Sequence, residues 1–273
     1  MARVIAFSGG RSSAYMLHIL RENGIAKDDY IIFANTGKEK NETLDFVHEI
    51  ETRWEVNIIW LESIFHPYDL EKETMTSKAG FKVVTYETAS RNGEPFAALI
   101  DWVNCGTVPN RNSRFCTKYL KEIPIKRYLE SIGVYEYDTI LGIRYDEPKR
   151  WRGKYDFYGN MPLVDFQVTE KDVFKFWSAQ PFDLKLKQYQ GNCDLCHLKS
   201  FKKLKTLIAD NPAAADWWIE QEEKTKSTFF SNGLGFTDLK KLATSTKFER
   251  YQDQRANIEN DLFDNDLGCF CGD

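Results

Sequence analysis

The sequence predicts an α/β protein, a parallel sheet with crossover helices followed by a helical carboxy-terminal extension. Three observations carry this expectation. Apolar strand-like runs alternate with amphipathic helix patterns three times in about the first sixty residues, the order that builds parallel βαβ units. The first run, Val4-Ile5-Ala6-Phe7, passes directly into a small polar loop, Ser8-Gly9-Gly10-Arg11-Ser12-Ser13, that opens onto a helix. Beyond Leu198 the chain turns helical and highly charged, with Trp217 and Trp218 as expected anchors.

The elements follow in order. After the loop, Met16, Ile19 and Leu20 recur at helical spacing, and Gly24 stands where the helix should end. Tyr30–Ala34 reads as a second buried strand, closed by Asn35-Thr36-Gly37. Phe46, Val47, Ile50 and Trp54 mark the next helix, with Asn41 as its expected N-cap, and Asn57–Leu61 gives a third strand. From Phe65 to Ser113 the periodicity weakens, and the stretch reads as an insertion or lid over the site. Thr117–Ile132 is helical in pattern, with Pro124 expected near a helix start or a kink. Asp138–Ile143 is the fourth expected strand. Met161–Phe166 reads as a strand passing into a helix capped by Thr169, with Val173, Phe176 and Trp177 on its buried face.

Bulk properties narrow the function classes. A chain of 273 residues suits one large domain, or a domain with an appended subdomain. Hydrophobic residues at 42% and charged residues at 29% match a soluble globular chain. The net charge of −4 argues against a surface coated for nucleic acid while leaving room for a local basic groove. No apolar run reaches the length of a membrane span and the start lacks a signal-peptide pattern, so the cytoplasm is the expected compartment and no membrane partner is expected. Six cysteines there point to metal or redox chemistry rather than disulfides. They fall unevenly, as Cys105 with Cys116, Cys193 with Cys196, and Cys269 with Cys271.

Several segments carry chemistry. In the first loop, glycines let the backbone turn and approach a ligand closely, and the amide groups and dipole of the helix start favour an anion. Ser8, Ser12 and Ser13 add hydroxyls and Arg11 adds a charge. The loop has neither Walker nor dinucleotide-fingerprint spacing. Gly142-Ile143-Arg144 closes the fourth strand; Arg144 could grip a phosphate or sulfate, with Asp146 and Glu147 holding either that arginine or a magnesium ion. Cys193 and Cys196 form a Cys-x-x-Cys pair, able to supply two thiolates to a metal or to act as a redox dithiol. Lys199, Lys202, Lys203 and Lys205 follow as a basic cluster, either a solvated helix face or a track for a polyanion.

The first loop resembles the pyrophosphate-binding (PP) loop of the ATP-pyrophosphatase superfamily, with Ser12 where many members have aspartate. Then come Thr36-Gly37 with Glu42-Thr43, Cys116-Thr117 with Lys121 and Pro124, Gly142-x-Arg144, Pro162-Leu163-x-Asp165 with Thr169 and Asp172-Val173, and Cys193-x-x-Cys196. In that order these resemble the phosphoadenosine phosphosulfate (PAPS) reductase family over roughly the first two hundred residues. The resemblance implies a Rossmann-like sheet of the adenine nucleotide α-hydrolase type. It implies a PP-loop nucleotide-binding domain over 1–200, with the insertion near 65–113 and a cysteine metal or cluster site, and a helical extension over 201–273 with a cysteine-bearing tail. It implies ATP or a related adenine nucleotide, with Mg2+, held by Ser8, Gly9, Gly10, Arg11, Ser12, Ser13, Thr36, Gly37, Gly142 and Arg144. Cys116, Cys193 and Cys196 would hold a [4Fe–4S] cluster or zinc, with Cys105 as the fourth ligand and His197 or the terminal pair as substitutes. Arg144, Cys269 and Cys271 are the expected catalytic residues. The expected reaction is ATP-dependent adenylation with sulfur transfer to an acceptor, a nucleic acid among the candidates. Reduction of adenylyl sulfate to sulfite, or nucleotide binding without turnover, are the alternatives. The expected partners are the nucleotide, a nucleic acid or a sulfur-donor protein, with a homodimer left open.

Overall fold

The computed structural model describes residues 1–67, 74–103, 106–152, 160–245 and 248–252. In chain order its elements are β1 (Ala2–Ala6), α1 (Arg11–Glu22), β2 (Asp29–Ala34), α2 (Asn41–Trp54), β3 (Ile58–Phe65), α3 (Met75–Lys78), β4 (Ala79–Val84) and α4 (Glu94–Val103). Then come α5 (Phe115–Thr117), a π-helical stretch (Lys118–Glu122), α6 (Ile123–Ser131), β5 (Tyr137–Leu141), α7 (Pro148–Trp151), α8 (Pro162–Asp165) and α9 (Glu170–Ser178). The carboxy-terminal helices are α10 (Phe201–Asp210), α11 (Asp216–Thr225) and α12 (Phe236–Thr244).

The five strands form one sheet in the order β4-β3-β2-β1-β5. β5, β1, β2 and β3 run parallel, with Ala6 opposite Leu141, Val4 opposite Tyr30 and Ile31 opposite Ile58. Successive strand residues point to opposite faces, and helices cover both. Val4, Ile32 and Leu61 pack against Leu129 of α6, with Ile125 and Tyr128 alongside. On the other face Ile5, Ile31, Phe33 and Trp60 meet Ala14 and Leu17 of α1, Leu44 and Val47 of α2, and Trp177 of α9. The expected α/β sheet and helical carboxy-terminal region are both present. Trp218 is buried among Phe96, Phe229 and Phe236, as its anchoring role required.

The structure corrects several boundaries. β3 runs on to Phe65, and an antiparallel edge strand, β4, lies in the stretch where the periodicity of the sequence weakens. What holds β4 is non-local: Glu62, fully buried on β3, pairs with Lys82 directly opposite at 2.8 Å. Glu62 also accepts from Asn35 Nδ2 (2.6 Å), Ser90 N (2.6 Å) and Ser90 Oγ (2.8 Å). The strand expected at Asp138–Ile143 ends at Leu141, so Gly142 and Ile143 belong to the loop that follows. Met161–Phe166 is not a strand: α8 occupies Pro162–Asp165, started by proline at its first turn, and only Asn160 bridges to Ile140 of β5. Thr169 takes the N-cap position of α9 as expected, its backbone N–H and hydroxyl donating to Asp172 Oδ2 at 2.8 and 2.6 Å. Asn41 is the first helical residue of α2 rather than its cap; Lys40 takes the cap position, its backbone N–H held by Asn192 O at 2.7 Å. Pro124 sits just past the π-helical stretch, where its missing N–H falls in the first turn of α6. Among the described residues no helix is long and apolar enough to cross a membrane.

Candidate functional site

From β1 the chain runs through β2 and β3 on one side, then crosses to place β5 on the other. The carboxyl ends of β1 and β5 therefore flank the point where the strand order reverses, the place where open α/β sheets bind ligands. The Ser8–Ser13 loop sits there. Gly9 has φ +78°, and a Cβ on it would lie 2.9 Å from methyl carbons of both Thr43 and Val47. That position requires glycine on two counts, handedness and space. Gly10 precedes α1 in extended backbone. No side chain caps α1 and no acidic residue stands in its first turn, which leaves the positive end of the helix for an outside anion. Ser8 Oγ donates to Ser13 Oγ (2.9 Å), and Ser13 Oγ to Gly10 O (2.9 Å), so the hydroxyls brace the loop from within.

Arg11 does something other than its expected part in the phosphate cradle. Its guanidinium is buried and turned away into the segment after α9, where Nε meets Asp183 Oδ1 at 2.7 Å and Nη2 meets Asp183 Oδ2 at 2.9 Å. It also donates to the carbonyls of Leu184 and Leu186. Arg11 thus ties the start of α1 to a segment about 170 residues further on. Arg11→Ala is expected to destabilise the fold by about 2–3 kcal/mol, since it strands buried carbonyls and one partly exposed carboxylate. Urea unfolding checks this, and ATP affinity should change less than in Arg144→Ala.

Arg144 takes the place facing the loop. Gly142, just past β5, lets this strand end meet α1: a Cβ there would lie 2.8 Å from Ser13 Cα. Two residues on, Arg144 Nη1 donates to Ser12 Oγ at 3.1 Å, joining the two strand ends across the switch point. Arg144 Nε meets Asp146 Oδ1 at 2.9 Å, and its backbone N–H meets Glu147 Oε2 at 3.0 Å. Burial works against its charge, but Glu147, Asp146 and Glu170 outweigh it and hold the guanidinium charged above the usual arginine range. Burial likewise pushes the Glu147 carboxyl up, yet Arg144 and Arg150 together hold it below the usual carboxylate range. Of the two uses open to the acidic pair, the structure displays the holding of Arg144. Arg150 also meets Glu147 at 2.6 Å, and the Glu170 N–H meets Asp146 at 2.9 Å.

The loop after β2 and the Cys-x-x-Cys loop dock on this centre together. Gly37, at φ +77°, makes the turn, and Asn35 Oδ1 accepts its N–H at 3.1 Å. Thr36 N and Oγ1 both donate to Glu39 Oε2 at 2.8 Å. Asn192 Nδ2 donates to Ser8 O at 2.7 Å, fastening the cysteine loop to the PP loop. Lys38 pairs with Asp194 at 2.9 Å, and Asp194 also accepts from Trp218 Nε1 at 3.0 Å. Asn192, Glu39 and Lys38 were not singled out from the sequence; only their places beside Cys193 and Gly37 hint at them. Glu42 and Thr43 lie on α2, and Thr43 serves as the buried floor beneath Gly9.

The cysteines are only partly brought together. Cys193 is buried with its thiol 3.7 Å from Glu39 Oε1, Cys196 follows on the same loop, and half-buried Cys116 sits in α5. Among the described residues no three Cys, His, Asp or Glu side chains converge as ligands to a metal ion. Cys105, Cys269 and Cys271 lie outside the described residues. Cys116, Cys193 and Cys196 are the expected ligands that lie among the described residues, and they do not form a three-donor group there. The lysine cluster is also divided: Lys199 Nζ donates to Cys193 O (2.9 Å), Lys202 pairs with Glu249 (2.8 Å), and Lys203 is buried over the Tyr251 ring. It is not a uniformly solvated face.

A mostly parallel sheet that delivers a serine–glycine loop onto a helix start, at the reversal of its strand order, is an α/β architecture of the PP-loop kind. The family model for the phosphoadenosine phosphosulfate reductase domain matches residues 2–180, and the chain belongs to that family, within the PP-loop adenine nucleotide α-hydrolase superfamily. It is 32% identical over 206 residues to an uncharacterized nin region protein of Escherichia phage lambda, covering 75% of this chain and 68% of that one. It is 28% identical over 178 residues to an uncharacterized protein of Methanocaldococcus jannaschii, covering 64% of this chain but only 29% of the relative.

Proposed function

We propose that this chain binds ATP or a close adenine nucleotide with its phosphates on the Ser8–Ser13 loop, and uses it to adenylate an acceptor for sulfur transfer. One observation carries the reading. Arg144 reaches Ser12 across the strand-order reversal while Asn192 fastens the Cys-x-x-Cys loop to Ser8. These bonds join the Ser8–Ser13 loop to Arg144 on one side and to the loop that carries the two thiols on the other. An acceptor oxygen attacking the α-phosphorus expels pyrophosphate, whose charge the helix start and Arg144 oppose. A sulfur-donor protein leaves a persulfide on Cys193 or Cys196. Its terminal sulfur displaces AMP from the acceptor, and the other thiol then releases the thiolated acceptor as a Cys193–Cys196 disulfide forms. An external dithiol resets the pair.

Pyrophosphate release from ATP, measured with and without a polynucleotide, tests this. The expected result is ATP-dependent release that rises with acceptor. Cys193→Ser and Cys196→Ser should keep pyrophosphate release and lose sulfur incorporation. Tight nucleotide binding with no pyrophosphate at all would reduce the chain to a binding module, and thioredoxin-dependent sulfite from PAPS would make it a reductase.

A further inference from the structure

The loop leaving β5 carries an aromatic pair that the phosphate site does not use. Tyr145, the residue after Arg144, is 44% exposed despite its size. Its ring stacks on Trp151 of α7, with centroids 6.0 Å apart and planes at 24°. Trp151 is anchored from beneath, packing on the cluster of Leu141, Ile143, Met161 and Val164. Its indole Nε1 donates to Tyr145 O at 3.1 Å. The Tyr145 backbone N–H is in turn held by Val168 O at 2.9 Å. The pair is therefore fixed at its base and open at its outer ring. Exposed Arg152 lies over the Trp151 ring, with its guanidinium carbon 5.6 Å from the centroid.

A core role would bury the tyrosine, and a salt-bridge loop would not need it. A rigid, half-open aromatic stack with a guanidinium beside it suits a planar heteroaromatic ring, because bases stack on aromatic faces and arginine tolerates or pairs with the attached phosphate. Tyr145 directly follows Arg144, whose guanidinium touches Ser12, so the pair stands on the same loop as the cation of the phosphate site. We infer that Tyr145, backed by Trp151 and Arg152, is a stacking platform for an unpaired nucleobase of a single-stranded polynucleotide acceptor. This rests on the adenylation reading above and specifies the acceptor. The same ring chemistry could come from the adenine of the nucleotide itself, and the experiment separates the two sources.

The experiment uses the full chain, a fluorescein-labelled single-stranded 20-mer DNA and an RNA stem–loop as probes, and a fluorescent ATP analogue in parallel. Anisotropy should show Tyr145→Ala binding the polynucleotides about tenfold or more weakly, the size of one lost base stack. Tyr145→Phe should bind like the parent chain, and ATP affinity and melting temperature should hold in both variants. Equal polynucleotide binding by Tyr145→Ala overturns the platform, as does a parent chain that binds neither probe. Weakened ATP binding in Tyr145→Ala overturns it differently, by assigning the ring to the adenine. Pyrophosphate release from the parent chain, scored separately, reports on the adenylation reading whichever way the platform falls.

Discussion

Replacing Arg144 by alanine is expected to weaken ATP binding about 100-fold, roughly 2.7 kcal/mol. The side chain is mostly buried, reaches from the loop after β5 to the Ser12 hydroxyl, and is held in its charged form by Glu147 and Asp146. Truncating a hydrogen-bonded cation in such a place removes the attraction for phosphate and leaves two carboxylates near the site uncompensated, so repulsion adds to the loss. Arg144→Lys should recover only part, because an ammonium keeps the charge but cannot span Ser12 and Asp146 as the planar fork does. Titration calorimetry with ATP measures both. Affinity within twofold of the parent chain in Arg144→Ala would remove Arg144 from the phosphate site.

The second large effect is on stability. Gly9→Ala is expected to cost about 2–5 kcal/mol: about 1–2 for a side chain in the left-handed region and about 1–3 for forcing Thr43 and Val47 apart. At about 2–4 °C per kcal/mol for a chain of this size, the melting temperature falls by roughly 4–20 °C. Gly10, whose backbone is extended (φ −94°, ψ 163°), has no such conformational demand, so Gly10→Ala should lose much less. Thermal melts of the two variants side by side check the contrast. Equal losses would mean that the close packing around Gly9 is not what fixes the loop.

The sequence determined more of the local structure than of the site. β1, β2, α1 and the Thr169 cap are legible because each is set by short-range pattern: a buried apolar run, a 3.6-residue stripe, a hydroxyl three residues before its carboxylate. The loop was legible for the same reason, since glycine, serine and a following helix start lie within six residues of one another. β4 was not, because Glu62, Lys82 and Ser90 become partners only once β3 and β4 pair. Met161–Phe166 misled because Met161, Leu163 and Val164 are buried in a helical turn as readily as in a strand, and six residues cannot separate the two periods.

Residue type announced which side chains could act; the tertiary structure decided which way they point. Arg11 and Arg144 are alike in the sequence, each an arginine within two residues of a glycine soon after a strand. Folding placed Asp183 and two carbonyls within reach of Arg11, and Ser12, Asp146 and Glu147 within reach of Arg144. A buried guanidinium must satisfy its donors with whatever acceptors packing brings to it. Those acceptors lie up to 175 residues away along the chain, a distance at which spacing carries no information. The family and the PP loop were therefore written in the sequence, while the division of labour between its two arginines was settled by packing alone.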